Sequence, residues 1–338
     1  MKIDLSMSSI LPMIRFLQDL KNGQADRNYL KEIFSHPDYD YEFKRYEIID
    51  KESMVDYFMQ LNTIDEISIP EPGLKRKKGM LKHKHKLWLD AYENPEYYES
   101  LLGKIDSQFD VTMLENICLH VKRGLPEDLE IGSIKAISTM SIGTSFGYVF
   151  DGAFHFDIMG FENGNTEGLQ SLIAHEVHHL AFISWISAFY DALTLEEKYI
   201  LGFAGEGLAV KFCNNAQGVI SKAIDSDAPV NDGLDAYSMK YLNEHFDEAR
   251  GVFFDTLEKI RADEIGQSDI SKQHEEYWLN LYADGQAASE EPLLKQAKMY
   301  SFGNDLFGSI YDAYGAKVLF ECVRQPLKAV EYFKLISC

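Results

Sequence analysis

One short segment constrains this chain more than any other: His175-Glu176-Val177-His178-His179. Residues four apart share a face of an α-helix, so in a helix His175 and His179 point the same way and can share one metal ion. Glu176 stands beside the first of them, within reach of a water on that metal. The flanks predict the helix: Leu169, Leu172, Ile173, Val177, Leu180 and Ile183 recur near helical spacing. Apart from Glu167 and the motif, that stretch is nearly free of charge. Polar groups inside an apolar helix need partners, and a metal would supply one. The preceding Phe161–Gly168 is polar and glycine-containing and suits a loop, with Asn165 or Thr166 as the helix N-cap.

A catalytic zinc takes three protein ligands and keeps a position for water. Glu206 is the best third ligand. It follows His179 by 27 residues, enough for one helix to end, turn and return antiparallel. Gly205 and Gly207 flank it and Gly202 lies one turn earlier, which allows two helices to approach closely. His178 falls off the face shared by His175 and His179 and reads as a packing residue. His155 reads as a half-buried strand histidine, and His274-Glu275-Glu276, without a second histidine at ligand spacing, as a solvated polar segment.

Composition narrows the function classes. A length of 338 residues favours two domains, or one with a substantial extension. The 46% hydrophobic and 13% aromatic content supports a real core. A formal net charge of −21 disfavours nucleic acid or an anionic membrane as partner. No apolar run is long enough for a bilayer: Leu180–Leu193 is too short and contains Ser and Asp. The first seven residues have no apolar core of a signal peptide. Cys118, Cys213, Cys322 and Cys338 are far apart, as expected of free thiols in a reducing cytoplasm. The basic run Lys75–Lys78 with Lys82–Lys86 reads as a solvated face, or alternatively as one that guides an acidic peptide or binds the protein's own acidic surface. There is no G-x-S-x-G, phosphate-binding loop or dinucleotide fingerprint.

Residues 1–126 are predicted to form a helical region, with helices near Ile10–Leu20, Arg27–Phe34, Lys51–Asn62, Leu81–Tyr92 and Asp110–Lys122. Turn signals at Lys21-Asn-Gly, His36-Pro, Pro70-Glu-Pro-Gly73 and Asn94-Pro divide them. Residues 127–338 form the second region. A strand over Ile131–Ser141 is followed by a hairpin, Phe146–Phe150 and Ala153–Ile158, turning at Asp151-Gly152. Then come the motif helix, a second helix over Leu195–Asn214, a helix over Tyr237–Thr256, a polar stretch near Gln267–Glu276 and a final helix over Asn304–Val323. The fold class is therefore α+β, mostly helical, with a small mixed sheet.

His175-Glu176-x-x-His179 followed by Glu206-Gly207-Leu208-Ala209 resembles the gluzincin class of metallopeptidases, and most of all a bacterial group of zinc-dependent peptidases with a helical N-terminal region. The likeness is strong over Phe146–Phe212 and weaker in Tyr300-Ser-Phe-Gly303 and Tyr311-Asp-Ala-Tyr-Gly315. Over residues 1–125 it is a general helical similarity. The order of strand, hairpin, motif helix and carboxylate helix is that of a zincin-like catalytic core, in which Ala153–Ile158 would be the sheet edge that receives an extended substrate; an ordinary core hairpin is the equal alternative. The resemblance implies Zn2+ held by His175, His179 and Glu206, and hydrolysis of peptide bonds by a metal-activated water with Glu176 as general base. It also implies a downstream donor to the oxyanion, with Tyr300 first and Tyr311 second. The partner is a peptide or protein substrate. A thermolysin-like pattern carries an acidic residue four after the ligand Glu, where this chain has Val210, so the partner of a ligand histidine must come from elsewhere. Two other readings fit the same residues: a non-catalytic binding protein on the same scaffold, and a zinc hydrolase of a non-peptide amide.

Overall fold

A computed structural model describes the chain except residues 49, 66–67, 70–79, 144, 223–234, 283–293 and 338. It divides into two compact units, Met1–Glu115 with Gly132–Thr166, and Asn116–Ile131 with Glu167–Cys338. Contacts thus group the strands with the N-terminal helices, a different partition from the sequence division at residue 126. Both units are described on their own.

The first unit combines a four-stranded mixed sheet with helices. The strands are β1 (Lys2–Ser6), β2 (Ser133–Thr139), β3 (Gly147–Phe150) and β4 (Ala153–Asp157). The helices are α1 (Ile10–Lys21), α2 (Arg27–Phe34), α3 (Pro37–Arg45), α4 (Lys51–Met59), α5 (Met80–Glu93) and α6 (Pro95–Gln108), with α7 (Val111–Arg123) beginning in this unit. The expected hairpin is present: Asp151 and Gly152 both have positive φ, 48° and 72°, the backbone a tight primed turn requires. Sheet order is β1-β2-β4-β3, with β1 and β4 both parallel to β2 and β3 antiparallel to β4.

This order corrects the expected edge strand. Ala153–Asp157 lies between two neighbours and is buried along its whole length, so its backbone groups are paired on both sides. The edges are β1 and β3. Strand β1 was absent from the sequence reading, although its Lys-Ile-Asp-Leu-Ser alternation is a strand pattern.

Three helices were also missed, over Pro37–Arg45, Pro95–Gln108 and Pro326–Ile336. Each opens on a proline at its first turn, where the missing N–H costs nothing. The basic run is corrected in part. Lys75–Lys78 lie outside the described residues, but Lys84 is 3% exposed and ion-paired with the equally buried Asp157. Asp157 also accepts from the backbone of Ser141 and Met159 at 3.0 Å. Replacing Lys84 by Met would strand a buried carboxylate, and should cost about 3–5 kcal/mol of stability. Denaturant unfolding at neutral pH would measure it.

The second unit is helical: α8 (Leu169–Ile186), α9 (Leu195–Cys213), α10 (Ala236–Glu244), α11 (Phe246–Arg261), α12 (Gln267–Gln273), α13 (Lys298–Gly303), α14 (Ser309–Tyr314), α15 (Ala316–Arg324) and α16 (Pro326–Ile336). Helix α9 lies at its centre, packed by α8, α13 and α16. It starts on a reciprocal cap, with Thr194 Oγ1 accepting from Glu197 N and the Glu197 carboxylate accepting from Thr194 N. An aromatic cluster fills the core around it: Phe203 meets Trp278, Phe253 and Phe302 at 4.8, 5.4 and 5.6 Å between ring centroids.

Three expected elements differ here. Tyr237–Thr256 is two helices, broken at His245, whose N–H and ring Nδ1 both bond the carbonyl of Tyr241. The polar stretch is helix α12 followed by a π-helical turn, His274–Trp278. Glu275 and Glu276 are exposed as expected, whereas His274 is half-buried, its ring 5.8 Å from that of Phe203. The final helix is divided into α13, a π-helical turn over Asn304–Gly308, α14 and α15, with Gly315 at φ 80° between the last two. Among the described residues no helix is long and apolar enough to cross a membrane. Cys213 and Cys322 are buried free thiols; Cys338 is outside the described residues.

Candidate metal centre

Helix α8 is buried over most of its length, as its apolar spacing predicts. It starts at Leu169 on Gly168 without a side-chain cap, so neither Asn165 nor Thr166 is the N-cap. His175 and His179, one turn apart, bring their Nε2 atoms within 3.0 Å of each other. Glu206 arrives on the returning helix α9, with Oε2 3.1 Å from His175 Nε2 and 3.3 Å from His179 Nε2. The three residues named from sequence therefore converge on one point. Among the described residues they are the one group of His, Cys, Asp or Glu side chains close enough to share an ion.

The triangle fits zinc. A tetrahedral ion with bonds of about 2.0–2.1 Å to nitrogen and oxygen holds its donors about 3.3–3.4 Å apart. The observed edges approach that value, and the donor chemistry, two imidazoles and a carboxylate, is a zinc set. The local electrostatics also favour positive charge. Burial works against a charged His175, but the hydrogen bond and charge of Glu206, with the charge of Glu176, carry its imidazole up to about 9. Burial likewise opposes a charged Glu206, yet His179 and His175 hold its carboxyl far below the usual range.

A residue that the sequence reading missed holds the ring of His175. Asn214, the residue after α9, has Oδ1 2.6 Å from His175 Nδ1, and its Nδ2 donates to Ser171 Oγ at 3.1 Å. Ser171 in turn donates to the carbonyl of Cys213 at 2.8 Å. Because the Asn214 amide nitrogen is committed to Ser171, its oxygen accepts from His175 Nδ1–H, and Nε2 is the nitrogen that would exchange its proton for a metal. This is the partner that Val210 cannot provide. Asn214 lies one turn beyond Val210 along α9, and that i+8 spacing from Glu206 was the available signal. Asn214→Ala should weaken zinc binding about 10–100-fold. Titration against a competing chelator would measure it, and unchanged affinity would remove Asn214 from this role.

The other named residues separate clearly. Tyr300 stacks on the His175 ring, with centroids 5.9 Å apart and planes 12° from parallel. Burial pushes its hydroxyl up, as do the charges of Glu206 and Glu176 and a hydrogen bond to Glu206. Tyr311 instead packs edge-on against Phe212 at 5.0 Å. His178 is fully buried, stacked on Phe182, with Nε2 3.4 Å from the carbonyl of Gly124, and burial lowers it to about 3. His155 is buried in the sheet of the first unit, stacked on Tyr148.

Two glycines hold Tyr300 in place. A Cβ on Gly207 would fall 2.1 Å from the carbonyl carbon of Gly303, and one on Gly303 would fall 2.4 Å from the carbonyl oxygen of Phe203. Helices α9 and α13 thus touch backbone to backbone, which no side chain would permit. Glu206 precedes one glycine by a residue, and Tyr300 precedes the other by three. Just beyond, buried Asn304 and Asp305 bond the segment that follows α9: Asn304 Nδ2 donates to Ala216 O at 2.8 Å, and Asp305 accepts from the backbone of Val219, Ile220 and Ser221.

Comparison with known proteins gives one family. Residues 30–336 match a family model described as "Putative zinc dependent peptidase (DUF5700)". No curated protein and no solved structure matches the chain.

Proposed function

Because the chain belongs to the DUF5700 family, we propose that it is a zinc metallopeptidase, a gluzincin with a zincin-like core, that hydrolyses peptide bonds at the His175–His179–Glu206 cluster. The observation that carries this reading is the convergence of those three donors at 3.0–3.3 Å, with His175 held at Nδ1 by Asn214, which leaves Nε2 as the nitrogen that would take the metal. His175, His179 and Glu206 would hold Zn2+, which when bound supplies a Lewis acid that acidifies water and polarises a carbonyl oxygen.

The chain's own residues do the rest. Glu176 is half-buried beside His175, and its charge is felt at both His175 and Tyr300. It accepts the proton of the attacking water and returns it to the leaving amine nitrogen. Tyr300 keeps its proton under the combined pressure of burial and two carboxylates, so it acts as a donor. Its hydroxyl would donate to the oxyanion as that charge develops. Tyr300 is preferred to Tyr311 because its ring lies on a ligand histidine. A carboxylate next to the ligands has no use in a purely structural metal site, so Glu176 supports catalysis over a binding scaffold.

Purified protein should cleave unstructured peptides, lose that activity on chelation and regain it with one equivalent of zinc. Activity that survives complete removal of metal would sink the assignment.

A further inference from the structure

The ligand triangle opens on one side into a cavity of about 530 Å3, lined entirely by the second unit. His179 and Glu206 stand at one end of it. Its walls are Phe182, Ile183 and Ile186 of α8, Leu201 of α9 and Met299 of α13. On α8, His179, Phe182, Ile183 and Ile186 follow the spacing of a single helix face, so the wall extends about 10 Å along the axis from the ligand. Ile183 is 53% exposed, an apolar side chain left in water at the cavity. At the far end Lys198 lies over the Tyr190 ring, and Asp191 is the one acidic side chain there, so the formal charges of that end cancel.

The floor is made by two glycines that packing does not demand. A Cβ on Gly205 would meet its nearest neighbours at 3.9 Å and one on Gly202 at 3.6 Å, ordinary contacts both. Glycine inside a helix is less favourable than alanine. Gly207, by contrast, is required by the backbone of Gly303. What Gly202 and Gly205 provide is the open volume itself.

Resting on the peptidase reading, we propose that this cavity is the specificity pocket, which takes a large apolar side chain of the substrate, such as Phe, Leu or Met, next to the scissile bond. The volume is that of a ligand site, the walls are apolar, and the reacting centre forms one end. An acidic or basic side chain entering it would give up water along the apolar walls before it reached Lys198 or Asp191.

The test uses full-length zinc-loaded protein carrying Glu176→Gln, so that peptides bind uncut. Calorimetry with Ala-Ala-Phe-Ala-Ala, Ala-Ala-Gly-Ala-Ala and Ala-Ala-Asp-Ala-Ala should place the Phe peptide at least about tenfold tighter than the others. Gly202→Leu, which fills the floor, should erase that preference and leave the Gly peptide unchanged. Ile186→Asp, at a partly exposed wall position, should reduce it by a similar factor. Equal or absent binding of the three peptides overturns the pocket, as does a uniform loss in either variant. Preferential binding of the Phe peptide without cleavage by the wild type would keep the pocket and remove the peptidase, so the two failures read differently.

Discussion

Replacing Glu206 by Ala is expected to empty the metal centre while leaving the helices that build it in place. Wild-type protein should hold about one zinc per chain. The variant should lose more affinity than the roughly 10–100-fold that removal of an outer hydrogen-bond partner costs, because a donor atom itself is gone. The Glu206 side chain is 22% exposed, so its truncation leaves no closed cavity in the core. Helix α9 is anchored elsewhere, by its Thr194–Glu197 cap and by Phe203 in the aromatic cluster. Metal-free variant and metal-free wild type should therefore unfold at similar temperatures. Metal analysis after equilibration at a fixed free zinc concentration decides the matter. Equal zinc in both proteins would keep a metal site but move its third ligand away from Glu206.

Glu176→Gln should have the opposite signature, with full zinc and almost no turnover. The amide matches the carboxylate in shape but cannot accept a proton, so the variant loses general-base catalysis alone. That contribution is typically about 10²–10⁴-fold in rate. KM should change little, because Glu176 lies outside the proposed pocket and outside the ligand triangle. Steady-state kinetics on one peptide, with zinc content measured on the same samples, separates this from loss of metal. A variant that turned over at the wild-type rate would disprove the general-base role. Together the two substitutions dissect the site, since one removes metal and activity and the other removes activity alone.

Several features were legible because their geometry is local. His175 and His179 are one turn apart, so the motif carries its own ligand spacing once the flanks make a helix. Asp151-Gly152 specifies a tight turn through two positive φ values, and the hairpin follows. The three helices missed by the sequence reading were also locally encoded. Pro37 and Pro95 were read as turn signals and Pro326 was not weighed, yet each sits where a helix has no N–H to lose.

The sequence by itself therefore determined the candidate donors on two helices, of types that suit zinc, the hairpin and the mostly helical α+β class. Only the tertiary structure decided what surrounds them. It paired Lys135 with Ala153 and so made β4 an interior strand, drew Lys84 out of a basic run to meet Asp157, and put Asn214 on His175. It brought Tyr300 rather than Tyr311 onto the ligand ring through the contact of Gly207 with Gly303. The reason is one of range. Helical spacing and turn backbone are set by neighbours a few residues away, whereas burial and pairing depend on which distant surfaces exclude water together, and no single segment carries that information.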